Sequence, residues 1–197
     1  MSKTREKTVM LTTMGILSAV VVVLQLLASV IKLGPFSITF AIMPIIVGGA
    51  IYGWEGGAWL GFVFGVIVLM TDPTIPILME ANVPATVAVC LLKGTLAGAA
   101  AAAVYKLIES KNRWAAIIAA SLVCPIVNTS LLVIGFLLFF YDFVMAWAEG
   151  MGYTNIALYI VTGMVGWNFL VETGVNLCLS TVIVRVLSIV KKPAVEA

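Results

Sequence analysis

In the stretch WNFLVETGVN, residues 167–176, Asn168, Glu172 and Asn176 recur at every fourth position. On a helix this spacing stacks the three side chains one turn apart along a single stripe. A carboxylate between two amides offers hydrogen-bond acceptors and donors side by side. The surrounding sequence is apolar, and an ionisable group in such a setting is costly and marks a functional site by default. Lys93, in VAVCLLKGTLAG, is the second buried-charge candidate, and Asn128 stands three residues after Pro125 in CPIVNTSLLVIG. A proline at that point frees backbone groups nearby. Two roles stay open for this set. Lys93 and Glu172 can pair and tie two helices together, or they can line a pocket for a polar ligand with Asn128, Asn168 and Asn176. The two are compatible, because a charged pair can close an empty site and open toward a ligand. Gln25 is a further polar candidate, expected to act as glue between helices. Trp167 points about 100° away from Asn168 on a helix, so it either walls the pocket or faces lipid.

Other chemistries find little material. The chain contains no His, which removes the commonest general base and metal ligand. Cys90, Cys124 and Cys178 lie singly in apolar segments, without the paired spacing of a metal or redox centre. They are expected to be small buried apolar residues. No metal site, no cofactor and no catalytic nucleophile with a base are expected.

These polar residues need elements to hold them. Of the 197 residues, 62% are hydrophobic and 10% charged, far from the near-quarter charged content of soluble domains. An integral membrane protein follows. A helix crossing about 30 Å of hydrocarbon needs about 20 residues. Six segments can be drawn: Val9–Ile31, Phe36–Tyr52, Ala58–Met70, Pro84–Ile108, Trp114–Tyr141 and a last one from about Ala157 to Val190. The third is short for a free-standing span, and the sixth is long enough to include a start that does not cross. The fold expected is an all-α compact bundle of six transmembrane helices. Residues 1–8 form a cytoplasmic N-terminal segment, 9–190 the membrane domain and 191–197 a cytoplasmic tail. The N-terminus reads as a first span rather than a removable leader.

Basic residues gather on the cytoplasmic side of membrane proteins. With six spans both termini share one side, which holds Lys3, Arg5, Lys7, Lys106, Lys111, Arg113, Arg185, Lys191 and Lys192. The other side holds Lys32 with Asp72, Glu80, Asp142 and Glu149. Both termini are therefore placed inside. The long connections KLGP, TDPTIPILMEANVP and YDFVMAWAEGMGYTN fall outside, and loops of that length usually gate or bind something. Tyr141, Phe143, Trp147 and Tyr153 in the last of them suit either a lid over a pocket or anchoring at the membrane interface.

Two sets of small residues bear on packing. Gly49, Gly53, Gly57, Gly61 and Gly65 recur every fourth residue in GAIYGWEGGAWLGFVFG, with a turn expected between Gly53 and Gly57. Each arm then offers a small-residue face for close helix approach, best explained by packing inside the bundle. Gly15 and Ala19, in TTMGILSAVVV, form a second pair, which serves either packing within the bundle or docking to another membrane protein.

Taken in order along nearly the whole chain, these features resemble the substrate-binding S components of energy-coupling factor (ECF) transporters, which take up vitamins in bacteria and archaea. The resemblance rests on about 200 residues in six spans, the pair Gly15 and Ala19, the hairpin GGAIYGWEGGAWLGFVFG followed by Asp72, and a fourth helix opening PATVAVCLLKGTLAG. It implies a cell-membrane protein that captures a vitamin or related micronutrient outside the cell. Its implied partners are a transmembrane scaffold and two cytoplasmic ATPases, with Gly15 and Ala19 facing the scaffold. The family usually carries alanine at both of these positions, and Gly15 replaces one. Riboflavin, pantothenate and folate all remain open as substrates. No phosphate-cradling GxxxxGK[ST] is present, so ATP hydrolysis falls to the partners. The alternative is an ion-coupled secondary transporter of a small polar solute, with Lys93 and Glu172 as the coupling pair. Against it, no inverted repeat is visible and one copy of six spans is small for such a design.

Overall fold

In a computed structural model the structure describes residues 3–30, 32–33, 36–37 and 40–190, without the side chains of 3, 30, 32–33, 36–37, 164, 167–168, 184 and 186–190. The elements in order are α1 (Lys3–Val30), β1 (Lys32–Leu33), β2 (Phe36–Ser37), α2 (Ile42–Thr71), α3 (Ile75–Ile108), α4 (Arg113–Phe139), α5 (Tyr141–Gly150), α6 (Ile156–Leu158), a π-helical stretch Tyr159–Gly166, and α7 (Trp167–Val190). Four helices, α1 to α4, are long and apolar enough to cross a membrane. The chain is a multi-pass membrane protein built from helices.

Helix α2 is broken at Gly53, whose φ of 76° is left-handed backbone that favours glycine. The two arms fold back on one another. A Cβ on Gly49 would lie 3.6 Å from Gly57 Cα, and one on Gly56 would lie 2.8 Å from the Gly48 carbonyl oxygen. Eight residues apart on a straight helix would instead be about 12 Å apart. The turn expected in GWEGG is therefore present, with Gly53 as its pivot.

The second arm, residues 54–71, packs on α3 through a glycine seam. Gly57 meets Gly98, Gly61 meets Gly94 and Gly65 meets the Cys90 backbone, so four residues forward along one helix match four back along the other. The atoms a side chain would strike are carbonyl oxygens and backbone carbons of the facing helix, joined at Gly57 by the Ala102 methyl group. Such backbone-to-backbone approach requires residues without Cβ. The glycine ladder is thus an internal packing device of this protein.

Helix α3 is also two pieces. Asn82 is extended (φ −160°, ψ 97°), and its side-chain oxygen accepts a 3.1 Å hydrogen bond from the Ala85 backbone N–H. That is an N-cap, and Pro84 fits the first turn it opens, where a missing N–H costs nothing. The long helix therefore starts where Pro84 placed it, preceded by a separate helical turn from Ile75. Thr86 adds a 2.8 Å bond from its hydroxyl to the Asn82 carbonyl.

One sequence expectation is corrected. The second segment was expected to be helical from Phe36, but residues 32–33 and 36–37 pair as a short antiparallel ladder, and helix begins only at Ile42. The first arm of α2, residues 42–52, is then only about 16 Å long, roughly half the hydrocarbon thickness. Its start lies deep in the bundle, where Ile42 shares a small gap with Phe64, Cys124 and Asn128.

Buried apolar residues form two clusters. The larger runs through the helices and includes Ile45, Leu60, Ala101, Tyr105, Ile117 and Ile183. The smaller caps the bundle around the α4–α5 connection and joins Leu78, Phe136, Phe140, Val144, Ala148 and Tyr159. Helix α1 is the peripheral one: 11% of its most apolar window is buried, against 39%, 44% and 28% for α2, α3 and α4.

Candidate functional site

Lys93 sits on α3 in line with Thr86, Val89 and Cys90, the spacing that puts side chains on one helical face. That face turns toward a cavity of about 20 Å³, roofed by Leu78 and Phe140 of the cap and walled by Asp72, Phe136 and Leu132. The cavity lies at the seam between the two apolar clusters. Lys93 is only 8% exposed. Among the described residues, no hydrogen bond or ion pair takes up its ammonium group.

Asp72 is held by its own turn. One carboxylate oxygen accepts from the Thr74 backbone N–H at 2.9 Å and from the Thr74 hydroxyl at 2.6 Å. The Asp72 carbonyl accepts from the Ile75 N–H at 3.1 Å, starting the next helical turn. This Asx-type turn fixes the connection between α2 and α3. Asp72 and Thr86 were not among the expected site residues. The signal for Thr86 was in the sequence, seven residues or about two helical turns before Lys93.

The remaining expected residues gather elsewhere. Glu172 and Asn176 are both buried on α7, continuing to Ser180 and Ile183 along one stripe. Helix α7 packs on α4 and α2, and the Glu172 carboxylate acts electrostatically on Cys124 of α4. Helices α4 and α7 run in opposite directions, so this pairing puts Ser121 at about the depth of Asn176, and Asn128 at about that of Asn168. The Asn168 side chain lies outside the described residues. Asn128 lines a gap of about 10 Å³ with Ile42, Phe64, Gly94, Ala97 and Cys124.

Several polar atoms here have no partner among the described residues. They are Gln25 Oε1, Ser121 Oγ, Asn128 Oδ1, Thr173 Oγ1 and both side-chain polar atoms of Asn176. Buried groups of this kind are normally satisfied, so each calls for a ligand or an ordered water. Lys93 and Asn128 line neighbouring but separate cavities, and the expected single cluster divides into a lysine site beside the cap and a separate amide and carboxylate stripe. Among the described residues no group of three or more Cys, Asp or Glu gathers as a metal site.

On the periphery, Gly15 and Ala19 are both exposed on α1, and nothing comes within 4 Å of a Cβ built on Gly15. Neighbouring residues hold α1 to α2. The Trp59 indole N–H donates to Ser18 Oγ at 3.2 Å, and Leu17 Cδ1 lies 3.4 Å from where a Cβ on Gly48 would stand. A groove of about 530 Å³ runs beside Gly15, between α1 and Tyr52, Glu55 and Trp59.

Compared with known protein families, residues 9–184 match the family described as ECF transporter, substrate-specific component. The comparisons with curated proteins and with solved structures give no match.

Proposed function

Because the chain belongs to the substrate-specific components of ECF transporters, we propose that it captures a vitamin-like polar micronutrient outside the cell and hands it over with a membrane scaffold and two ATPases. The coarse part of this, a substrate-binding subunit rather than an enzyme, is the character of the family. The finer part is supported chiefly by one observation: a bundle with an apolar exterior carries buried polar groups that its own described residues leave unmatched.

In this account the bundle has six spans, with the two arms of α2 counted separately and the stretch 159–190 as the last. The termini lie inside, and the cap made by residues 75–81, α5 and the start of the last span lies outside. Substrate enters from the capped end. The short first arm of α2 supports this, since at about 16 Å it spans only about half of the hydrocarbon thickness. Lys93, Asn128, Asn168, Glu172 and Asn176 are the proposed substrate contacts. Their donors and acceptors suit a polar molecule of the riboflavin, pantothenate or folate kind. Gly15 and Ala19 form the proposed scaffold face, supported by their exposure on the least buried helix.

The competing function is ion-coupled transport by the chain alone. Reconstitution in vesicles separates the two. Accumulation of substrate only with the scaffold, both ATPases and ATP is the expected result. Uptake by the isolated chain under a proton or sodium gradient would refute the proposal.

A further inference from the structure

The lysine cavity carries more information than its presence alone. A lysine has three donors and no acceptor, and an ammonium group removed from water needs an anion or strong acceptors close by. Lys93 is more than nine-tenths buried, and no described residue supplies either within bonding distance. Asp72 lines the same cavity but forms no ion pair within 4.0 Å of Lys93, and one of its oxygens is engaged by Thr74. The Thr86 hydroxyl spends its hydrogen on the Asn82 carbonyl, so only lone pairs face inward. The cavity thus presents one cationic donor and two acceptors, with Phe136 and Phe140 also in its lining.

We infer that this cavity is the head-group subsite of the transported molecule, binding a carboxylate at Lys93 with an adjoining hydroxyl or N–H turned toward Asp72 and Thr86. The inference rests on the proposed substrate-binding role and narrows it to carboxylate-bearing substrates. At about 20 Å³ the cavity has room for about one water, so the head group enters as the roof lifts. Leu78 lies on the helical turn between Asp72 and Asn82, and both of these residues have extended ψ angles that interrupt the helix on either side. The remainder of a micronutrient would extend toward the amides of α4 and α7.

The test uses the full chain in lipid nanodiscs. Binding is measured for pantothenate, folate and riboflavin, and for the neutral alcohol counterpart of pantothenate, with mass spectrometry of any co-purified molecule. The expected result is tight binding of a carboxylate-bearing compound, with affinity falling at least about tenfold when that carboxylate is made neutral. Lys93→Met should cause a similar loss, and Lys93→Arg should recover part of it. Tight binding of uncharged riboflavin, or an unchanged affinity in Lys93→Met, would overturn the subsite and leave the binding role standing. In that case a single water bridging Lys93 to Asp72 fills the cavity. If no compound binds and none co-purifies, the binding role itself is overturned. The neutral counterpart is measured on the unaltered chain, so the test survives a variant that fails to fold.

Discussion

Replacing Gly61 by alanine adds one methyl group to the tightest seam in the bundle. Built in place, that carbon would overlap the Gly94 carbonyl oxygen and sit 2.8 Å from its carbon and 3.2 Å from Thr95 Cα, where ordinary contact begins at 3.4 Å. All three are backbone atoms of α3 and cannot rotate away. The helices must separate by roughly half an ångström to an ångström, which loosens Gly57 against Gly98 and Gly65 against Cys90 as well. Overpacking of this kind costs about 1–3 kcal/mol. Alanine returns up to about 1 kcal/mol through its better helix propensity. The net loss is about 1–2 kcal/mol, which for a chain of this size lowers the melting temperature by roughly 2–8 °C. Thermal unfolding in detergent, followed by tryptophan fluorescence, reads the shift. Gly15→Ala is the internal control. It makes the same substitution on a helix, but nothing lies within 4 Å of the new carbon, so stability should hold or rise. The double variant Gly61→Ala with Gly94→Ala should lose less than the sum, because the first separation accommodates the second methyl group. A Gly61→Ala protein as stable as the unaltered chain would refute the seam.

Two further outcomes follow from the proposed roles. Gly15→Leu places a large side chain on the open face of α1, so it should reduce co-purification with the scaffold severalfold and leave substrate affinity within about twofold; retention of both would make that face merely lipid-exposed. Glu172→Gln should weaken substrate binding by about tenfold, the scale of a charged hydrogen bond, while membrane insertion is kept; an unchanged affinity would reduce Glu172 to a structural role.

Much of the helical scaffold was legible because its signals are local. Pro84 marks the start of the long helix and the glycines from Gly53 to Gly57 mark a turn, while the Asn82 cap that fixes that start was seen only in the structure. The four-residue glycine spacing indicated close packing, although the partner, α3, could be identified only from the structure. The start of α2 was misjudged because FSITFAIMP is apolar apart from Ser37 and Thr39 and joins the apolar run after it. Its opening residues, Phe36 to Phe40, alternate apolar and hydroxyl side chains, a period of two that fits the observed strand at 36–37. The π-helical stretch Tyr159–Gly166 had no recognised signal. For the site, spacing could show that Glu172 and Asn176 share a stripe, and both are buried as that stripe requires. It could not set the rotation of α3 relative to α7. That rotation directs Lys93 toward Asp72 and the cap, away from the Asn128 gap, and so divides one expected pocket into two.

The central claim is that this chain by itself holds a small polar molecule. Purifying it without scaffold or ATPases and measuring ligand binding by calorimetry, guided by mass spectrometry of what co-purifies, tests that claim most directly. The account predicts one micronutrient-sized molecule per chain, bound without ATP. No bound molecule, together with proton-coupled uptake by the isolated chain, would contradict it.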